Sequence, residues 1–129
     1  ATGLGAGVYD RFRELGFSVS GINMAESAVD KEKYINIRAE AYFRLREWMK
    51  AGGMLQRDSE FMDLNVIKYK MRSNGKLQII DKETLRKNGI PSPDVADALM
   101  LTFGRDEEGR AFVNKNKIRE NRAKQPKYD

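Results

Sequence analysis

Residues 3–22 read GLGAGVYDRFRELGFSVSGI, and the order of signals in this stretch decides the fold class. Gly3-Leu4-Gly5-Ala6-Gly7 reads as a glycine-rich turn, since glycine reaches backbone conformations closed to other residues. Val8 to Leu15 follows, with Val8, Phe12 and Leu15 on one helical face. Gly16 stands where a glycine closes a helix. Phe17-Ser18-Val19-Ser20-Gly21-Ile22 then alternates apolar with small or polar residues, the period of a strand. Turn, helix and strand in this order form part of a βαβ unit, whose first strand is expected upstream of Ala1. The expected class is therefore α/β. The start Ala1-Thr2-Gly3 has neither an initiator Met nor the layout of a signal peptide, so a fragment of a longer chain is expected.

Outward from this stretch, Asn23 to Lys33 is a polar loop and Tyr34 to Ala51 the longest helix. At about 100° per residue, Tyr34, Ile37, Ala41, Leu45, Trp48 and Met49 fall on one stripe. Asn36, Glu40, Arg44 and Glu47 fall opposite, with Glu40 and Arg44 at the favourable i,i+4 spacing. Arg38 lies inside the apolar stripe; it is either a snorkelling or ion-paired side chain at the stripe's edge, or one aimed at phosphates or an active-site carboxylate. Gly52-Gly53 ends this helix, and Met54-Leu55 is a candidate edge strand. Ser59 to Leu64 reads as a short capped helix. Val66 to Met71 and Lys76 to Ile80 read as paired strands around the Ser73-Asn74-Gly75 turn. Asp81 to Asn88 is a short helix closed by Gly89. The last core helix opens with Ser92 as its cap and Pro93 at its first position, runs to Phe103 and stops at Gly104.

Composition narrows the chemistry. The 129 residues suit one domain. No apolar run approaches the roughly 20 residues of a membrane span. With no Cys there are no disulfides, thiolate zinc sites or Cys nucleophiles, and with no His there is no Ser-His-Asp triad. Hydrolytic chemistry would have to run on carboxylates, Lys, Arg and hard cations. The net charge of +5 is concentrated toward the end. Residues 104–129 hold 8 Lys/Arg against 5 Asp/Glu, and residues 1–103 hold 16 against 14. The expected organisation is a core over 1–103 and a polar basic extension over 104–129. The basic bias suits a polyanionic partner, although many soluble domains share it.

Three features are candidates for function. The glycine run could cradle phosphates on helix-terminal amides, but Asn23 and Glu26 poorly match the acid that a dinucleotide site wants about 20 residues on, and a tight structural turn is the plainer reading. Asp94 and Asp97, at i,i+3 in a helical first turn, present two carboxylates about 5–6 Å apart at their Cβ atoms. Converging carboxylates are what a hard divalent cation needs; acids also collect in first turns for dipole reasons alone. Lys82, Arg86 and Lys87 just upstream either bring positive charge to the same place or form a solvated face.

Three segments together carry a family resemblance. Ala1-Thr2-Gly3-Leu4-Gly5-Ala6-Gly7, Asn36-Ile37-Arg38-Ala39-Glu40-Ala41-Tyr42 leading to Arg46-Glu47-Trp48, and Ser92-Pro93-Asp94-Val95-Ala96-Asp97-Ala98-Leu99 resemble the C-terminal nuclease domain of tailed-phage large terminase subunits, in order over residues 1–103. The resemblance implies a ribonuclease H-like α/β fold, a mixed sheet with flanking helices that is incomplete at its N-terminal strands. It implies carboxylates that hold two Mg²⁺ or Mn²⁺ ions, activate water and clamp the scissile phosphate to cut concatemeric DNA. The family's helix-borne acid maps to Asp94, and Asp97 matches a second acid found in some members and in related junction resolvases. Arg38, Lys82, Arg86 and Lys87 are the candidates for contact with DNA.

The family's strand-borne acid and the acid before its glycine turn both map upstream of Ala1, and its ATPase motor has no counterpart in these residues. The chain is thus expected to carry one wall of the site and to be inactive alone. The glycine turn is expected to pack beside the last helix. Double-stranded DNA, the small terminase subunit and the portal are the implied partners of the parent phage or prophage protein, and the host cytoplasm its location. The competing readings are a packaging module that binds DNA or partner subunits without cutting, and a nucleotide-binding α/β domain.

Overall fold

The longest helix organises the fold. In the computed structural model, which describes residues 4–57 and 59–104, α2 spans Ile37–Lys50. Asn36 caps it: its extended backbone (φ −157°, ψ 175°) lets the side chain accept from the Ala39 N–H at 3.0 Å. The helix buries Ala39, Ala41, Tyr42, Phe43 and Leu45, and these join Ile79, Ala96, Met100 and Phe103 in one core.

Glu40 is buried on the same helix, at 2% exposure, which overturns its expected place on the polar side. The loop before α2 wraps over that face. The Val29 and Asp30 N–H groups donate to the Glu40 carboxylate at 3.0 and 3.3 Å, and Arg44 Nη2 lies 3.4 Å from Oε1. The buried charge of Glu40 is thereby satisfied by donors from the covering loop and from Arg44. Met49, expected in the apolar stripe, is exposed, and Tyr34 precedes the helix.

The hairpin forms as expected but shorter. β1 (Tyr69–Met71) pairs antiparallel with β2 (Leu77–Ile79), with Tyr69 opposite Ile79 and Met71 opposite Leu77. Gly75 takes φ +80° in the turn, and the Asn74 side chain accepts from the Lys76 N–H at 3.0 Å. Val66 ends a 3-10 helix, Ser59–Val66, and so does not belong to β1. On its other edge β2 meets the chain entering α2: Ile35 N–H donates to the Leu77 carbonyl and Leu77 N–H to the Lys33 carbonyl, a parallel bridge centred on Tyr34. The mixed sheet expected from the sequence is therefore, among the described residues, a two-stranded antiparallel ribbon with one parallel bridge.

Two further helices follow. α3 (Lys82–Lys87) is capped by Asp81, which accepts from the Thr84 N–H at 2.7 Å, and it buries Leu85. α4 (Asp94–Leu101) packs against α2 and the 3-10 helix and buries Ala96 and Met100. Pro93, not Ser92, is its capping residue and makes no side-chain cap; the Ser92 hydroxyl donates to Asp94 instead. α4 also stops two residues earlier than expected, with Thr102 closing it.

The opening stretch departs most from expectation. α1 spans Leu4–Glu14, so Gly5 and Gly7 lie within a helix and not in a turn. Gly3 lies outside the described residues, as do residues 105–129. Phe17–Ile22 takes no strand conformation and joins neither β1 nor β2. α1 touches no other described helix or strand, and Val8, Phe12, Leu15 and Phe17 remain 43–58% exposed. A strand is stabilised by its pairing and not by alternation alone, and the described residues offer Phe17–Ile22 no partner. Met54-Leu55 likewise forms no strand. No described helix is long and apolar enough to cross a membrane.

Candidate functional site at the start of helix α4

Pro91 and Pro93 turn the chain into α4, so its first turn carries Asp94 and, three residues on, Asp97. The two carboxylates meet very different surroundings. Asp94 is exposed, and its Oδ1 accepts from the Ser92 hydroxyl at 2.5 Å. Asp97 points toward side chains from α2 and from Lys82, with its own side chain only 14% exposed. Its Oδ1 accepts from the Tyr42 hydroxyl at 2.5 Å and lies 3.5 Å from Arg38 Nη2. Its Oδ2 lies 2.7 Å from Lys82 Nζ.

α2 supplies two of these donors because Arg38 and Tyr42 are one turn apart on one face. Arg38 is doubly committed: Nη1 donates to the Ile80 carbonyl at 3.1 Å, and the guanidinium sits 5.3 Å from the Tyr42 ring centroid. Lys82 comes from the first residue of α3, two residues after Ile80, which places its half-exposed ammonium beside α4. Burial would raise the Asp97 carboxyl pKa; the bonds from Lys82 and Tyr42 and the charge of Arg38 outweigh it and leave the group below its ordinary value. Burial, reinforced by the neighbouring carboxylate, holds the Tyr42 phenol well above its ordinary value. Tyr42 therefore stays a neutral donor.

Of the residues singled out in the sequence, the structure brings Arg38, Lys82 and Asp97 into contact, with Asp94 one turn away on the same helix. Arg38 meets the expected acid, Asp97, a contact that both alternatives for this side chain allow. Lys87 pairs with Glu83 at 3.3 Å on exposed α3, and Arg86 is exposed. The expected packing of the glycine run against the last helix is not made by its described part, since α1 does not touch α4. Tyr42 was missed. Its i+4 spacing from Arg38 was the available signal, but a phenol on a partly apolar helix face reads first as core.

These residues do not by themselves fit a divalent cation. Among the described residues, no three carboxylates or other ligating side chains converge. Asp97 already has donors on both oxygens, so Asp94 is the carboxylate of the pair open to a further ligand. A hard cation takes six or more oxygen donors, most of which would have to come from water, substrate or residues outside this set.

No family model and no curated protein matches the chain. Solved structures do. The nuclease domain of the large terminase subunit gp2 of bacterial virus Sf6 is 27% identical with a TM-score of 0.55, over 77% of this chain and 60% of that one. A lysine-to-alanine mutant of the same nuclease domain, solved with manganese, is 26% identical with a TM-score of 0.58, over 77% and 61%. The chain thus spans about three fifths of the length of the solved domains it matches. In sequence and in fold together, this chain is similar to the nuclease domain of a bacteriophage large terminase subunit.

Proposed function

We propose that the chain is a portion of a terminase large-subunit nuclease domain, and that the parent protein cuts concatemeric phage DNA endonucleolytically with the aid of Mg²⁺ or Mn²⁺. The observation that carries this reading is the joint likeness in identity and fold to the Sf6 nuclease domains over 77% of the chain. Manganese accompanies one of those domains and supports a divalent cation as cofactor. The substrate of this reading is double-stranded DNA; the small terminase subunit and the portal are its partners, and the host cytoplasm its place of action.

Within the chain, Asp94 is the carboxylate we assign to the cleavage site. It is exposed and held at a helix N-terminus by Ser92. Lys82, Arg86 and Lys87 are assigned to the DNA backbone, where cations fix register on phosphates without reading sequence. Among the described residues the carboxylates do not complete a cation site, and we assign the remaining ligands to residues outside that set.

Nicking of supercoiled plasmid tests the reading. The 129-residue chain is expected to leave the plasmid intact in Mn²⁺, and a longer chain carrying the remainder of the domain to nick it. In that longer chain Asp94→Asn is expected to abolish nicking while preserving the fold. Full activity of Asp94→Asn would remove Asp94 from the site. DNA binding without cleavage by the longer chain would replace the nuclease reading with that of a binding module.

A further inference from the structure

The β1–β2 hairpin has two chemically different faces. Side chains alternate across a strand, so Tyr69, Met71, Leu77 and Ile79 share one face. Lys68, Lys70, Arg72, Lys76 and Gln78 share the other. The first face packs inward: Ile79 is buried, and the Tyr69 ring lies 5.1 Å from that of Phe43 on α2. The second face therefore turns away from α2, and it carries cations without an acid. Lys68, Lys70 and Arg72 are exposed and Lys76 is half-buried.

These cations are not spoken for. Among the described residues no carboxylate forms an ion pair with Lys68, Lys70, Arg72 or Lys76. Arg72 Nη1 donates to Gln78 Oε1 at 3.2 Å across the strands, which holds the guanidinium over the sheet. Asp81 lies below its ordinary pKa chiefly through the bond from the Thr84 N–H, with the Lys70 charge contributing, so this acid caps α3 and does not pair with the hairpin. Arg72 also faces Lys76 across the strands, a like-charge pair that weakens a hairpin left to itself. A polyanion laid on the face relieves that repulsion.

Position gives the face a direction. Lys68 stands at the base of the hairpin, opposite Ile80, whose carbonyl accepts from Arg38 at 3.1 Å. The face thus begins beside the candidate site and runs outward to the turn. From Lys68 to Arg72 is about 13 Å of strand. One strand of duplex DNA presents a phosphate every ~3.4 Å along its axis, so the face spans about four of them.

We propose that this face is a phosphate rail: Lys68, Lys70, Arg72 and Lys76 hold the backbone of duplex DNA outward from the start of α4, without reading its sequence. The choice of DNA as the polyanion rests on the nuclease reading; the placement of the cations does not.

The salt dependence of binding tests it. The 129-residue chain and the longer chain of the nicking assay are each titrated against a fluorescein-labelled duplex in EDTA, where anisotropy reads binding without cleavage. The logarithm of the affinity is then plotted against that of the salt concentration. Each phosphate contact contributes about −0.9 to the slope, so Lys68→Gln/Lys70→Gln is expected to flatten it by about 2. Both lysines are exposed, and equal melting midpoints check that the fold is kept. Arg11→Gln/Lys50→Gln, the same loss of charge at exposed positions of α1 and α2, is expected to leave the slope unchanged. An unchanged slope in the hairpin variant overturns the rail, and is the result expected of lysines kept only to blunt the open edge of β1. Equal flattening in both variants assigns binding to net charge and overturns it too, as does failure of both chains to bind the duplex. Nicking is a separate readout. An unchanged slope with nicking intact removes the rail and keeps the nuclease reading, whereas a flattened slope in a longer chain that does not nick keeps the rail and removes the nuclease.

Discussion

Replacing Glu40 by Ala is expected to remove a large share of the stability of this chain. The carboxylate is 2% exposed and accepts the N–H groups of Val29 and Asp30 at 3.0 and 3.3 Å. It also neutralises Arg44, whose Nη1 donates to the carbonyls of Phe103 and Gly104. Alanine at position 40 therefore strands two partly buried amide donors and takes the Glu40 carboxylate away from the Arg44 guanidinium. An unsatisfied buried donor costs about 1–3 kcal/mol, and breaking a buried ion pair by removing one partner costs about 3–5 kcal/mol. These overlap, since the same carboxylate serves both, so a loss of about 4 kcal/mol is the working figure.

Small domains hold only about 5–15 kcal/mol in total. The loss corresponds to a drop in melting midpoint of about 15 °C or more. Trp48 is the only tryptophan and packs 5.5 Å from the Phe103 ring, at the end of the Arg44 contacts, so its fluorescence in a urea titration reports the transition directly. Glu40→Gln keeps one carbonyl acceptor and loses the charge, and is expected to fall between wild type and alanine. A Glu40→Ala variant within about 0.5 kcal/mol of wild type, the range of ordinary surface substitutions, would refute the reasoning.

Two other predictions follow from single contacts. Gly53 packs so closely on the Trp48 ring that an added methyl would overlap the ring carbons, so Gly53→Ala is expected to cost about 1–3 kcal/mol by overpacking, read in the same urea titration; a neutral substitution would show that the indole can move aside. Asp97 is held below its ordinary pKa of 3.8, so its contribution to stability is fully present above that value and disappears as the pH falls through the lower folded-state value. The gap in melting midpoint between wild type and Asp97→Asn is accordingly expected at neutral pH and to close in strong acid, and a gap independent of pH would assign it to shape and not to charge.

Local chemistry alone determined much of this protein. Asn36 before an amphipathic run, Asp81 three residues ahead of Thr84, and Asn74-Gly75 between two alternating segments each act within a few residues, so α2, α3 and the hairpin are legible in the sequence. The same holds for Asp94 and Asp97 sharing the first turn of α4, because helix geometry fixes i,i+3 neighbours. What the sequence could not determine were the contacts between distant segments. Asp97 finds Tyr42 and Arg38 more than fifty residues away, and that distinguishes an anchored carboxylate from an exposed one with nearly the same local sequence. A helical wheel treats Glu40 as solvent-facing because it knows nothing of the loop that later covers that face with two amide donors. The alternation in Phe17–Ile22 expresses a capacity to pair, and only the tertiary structure decides whether a strand lies alongside to receive it. Periodicity records what each segment prefers to bury, whereas burial and pairing themselves belong to whichever segments the fold brings together.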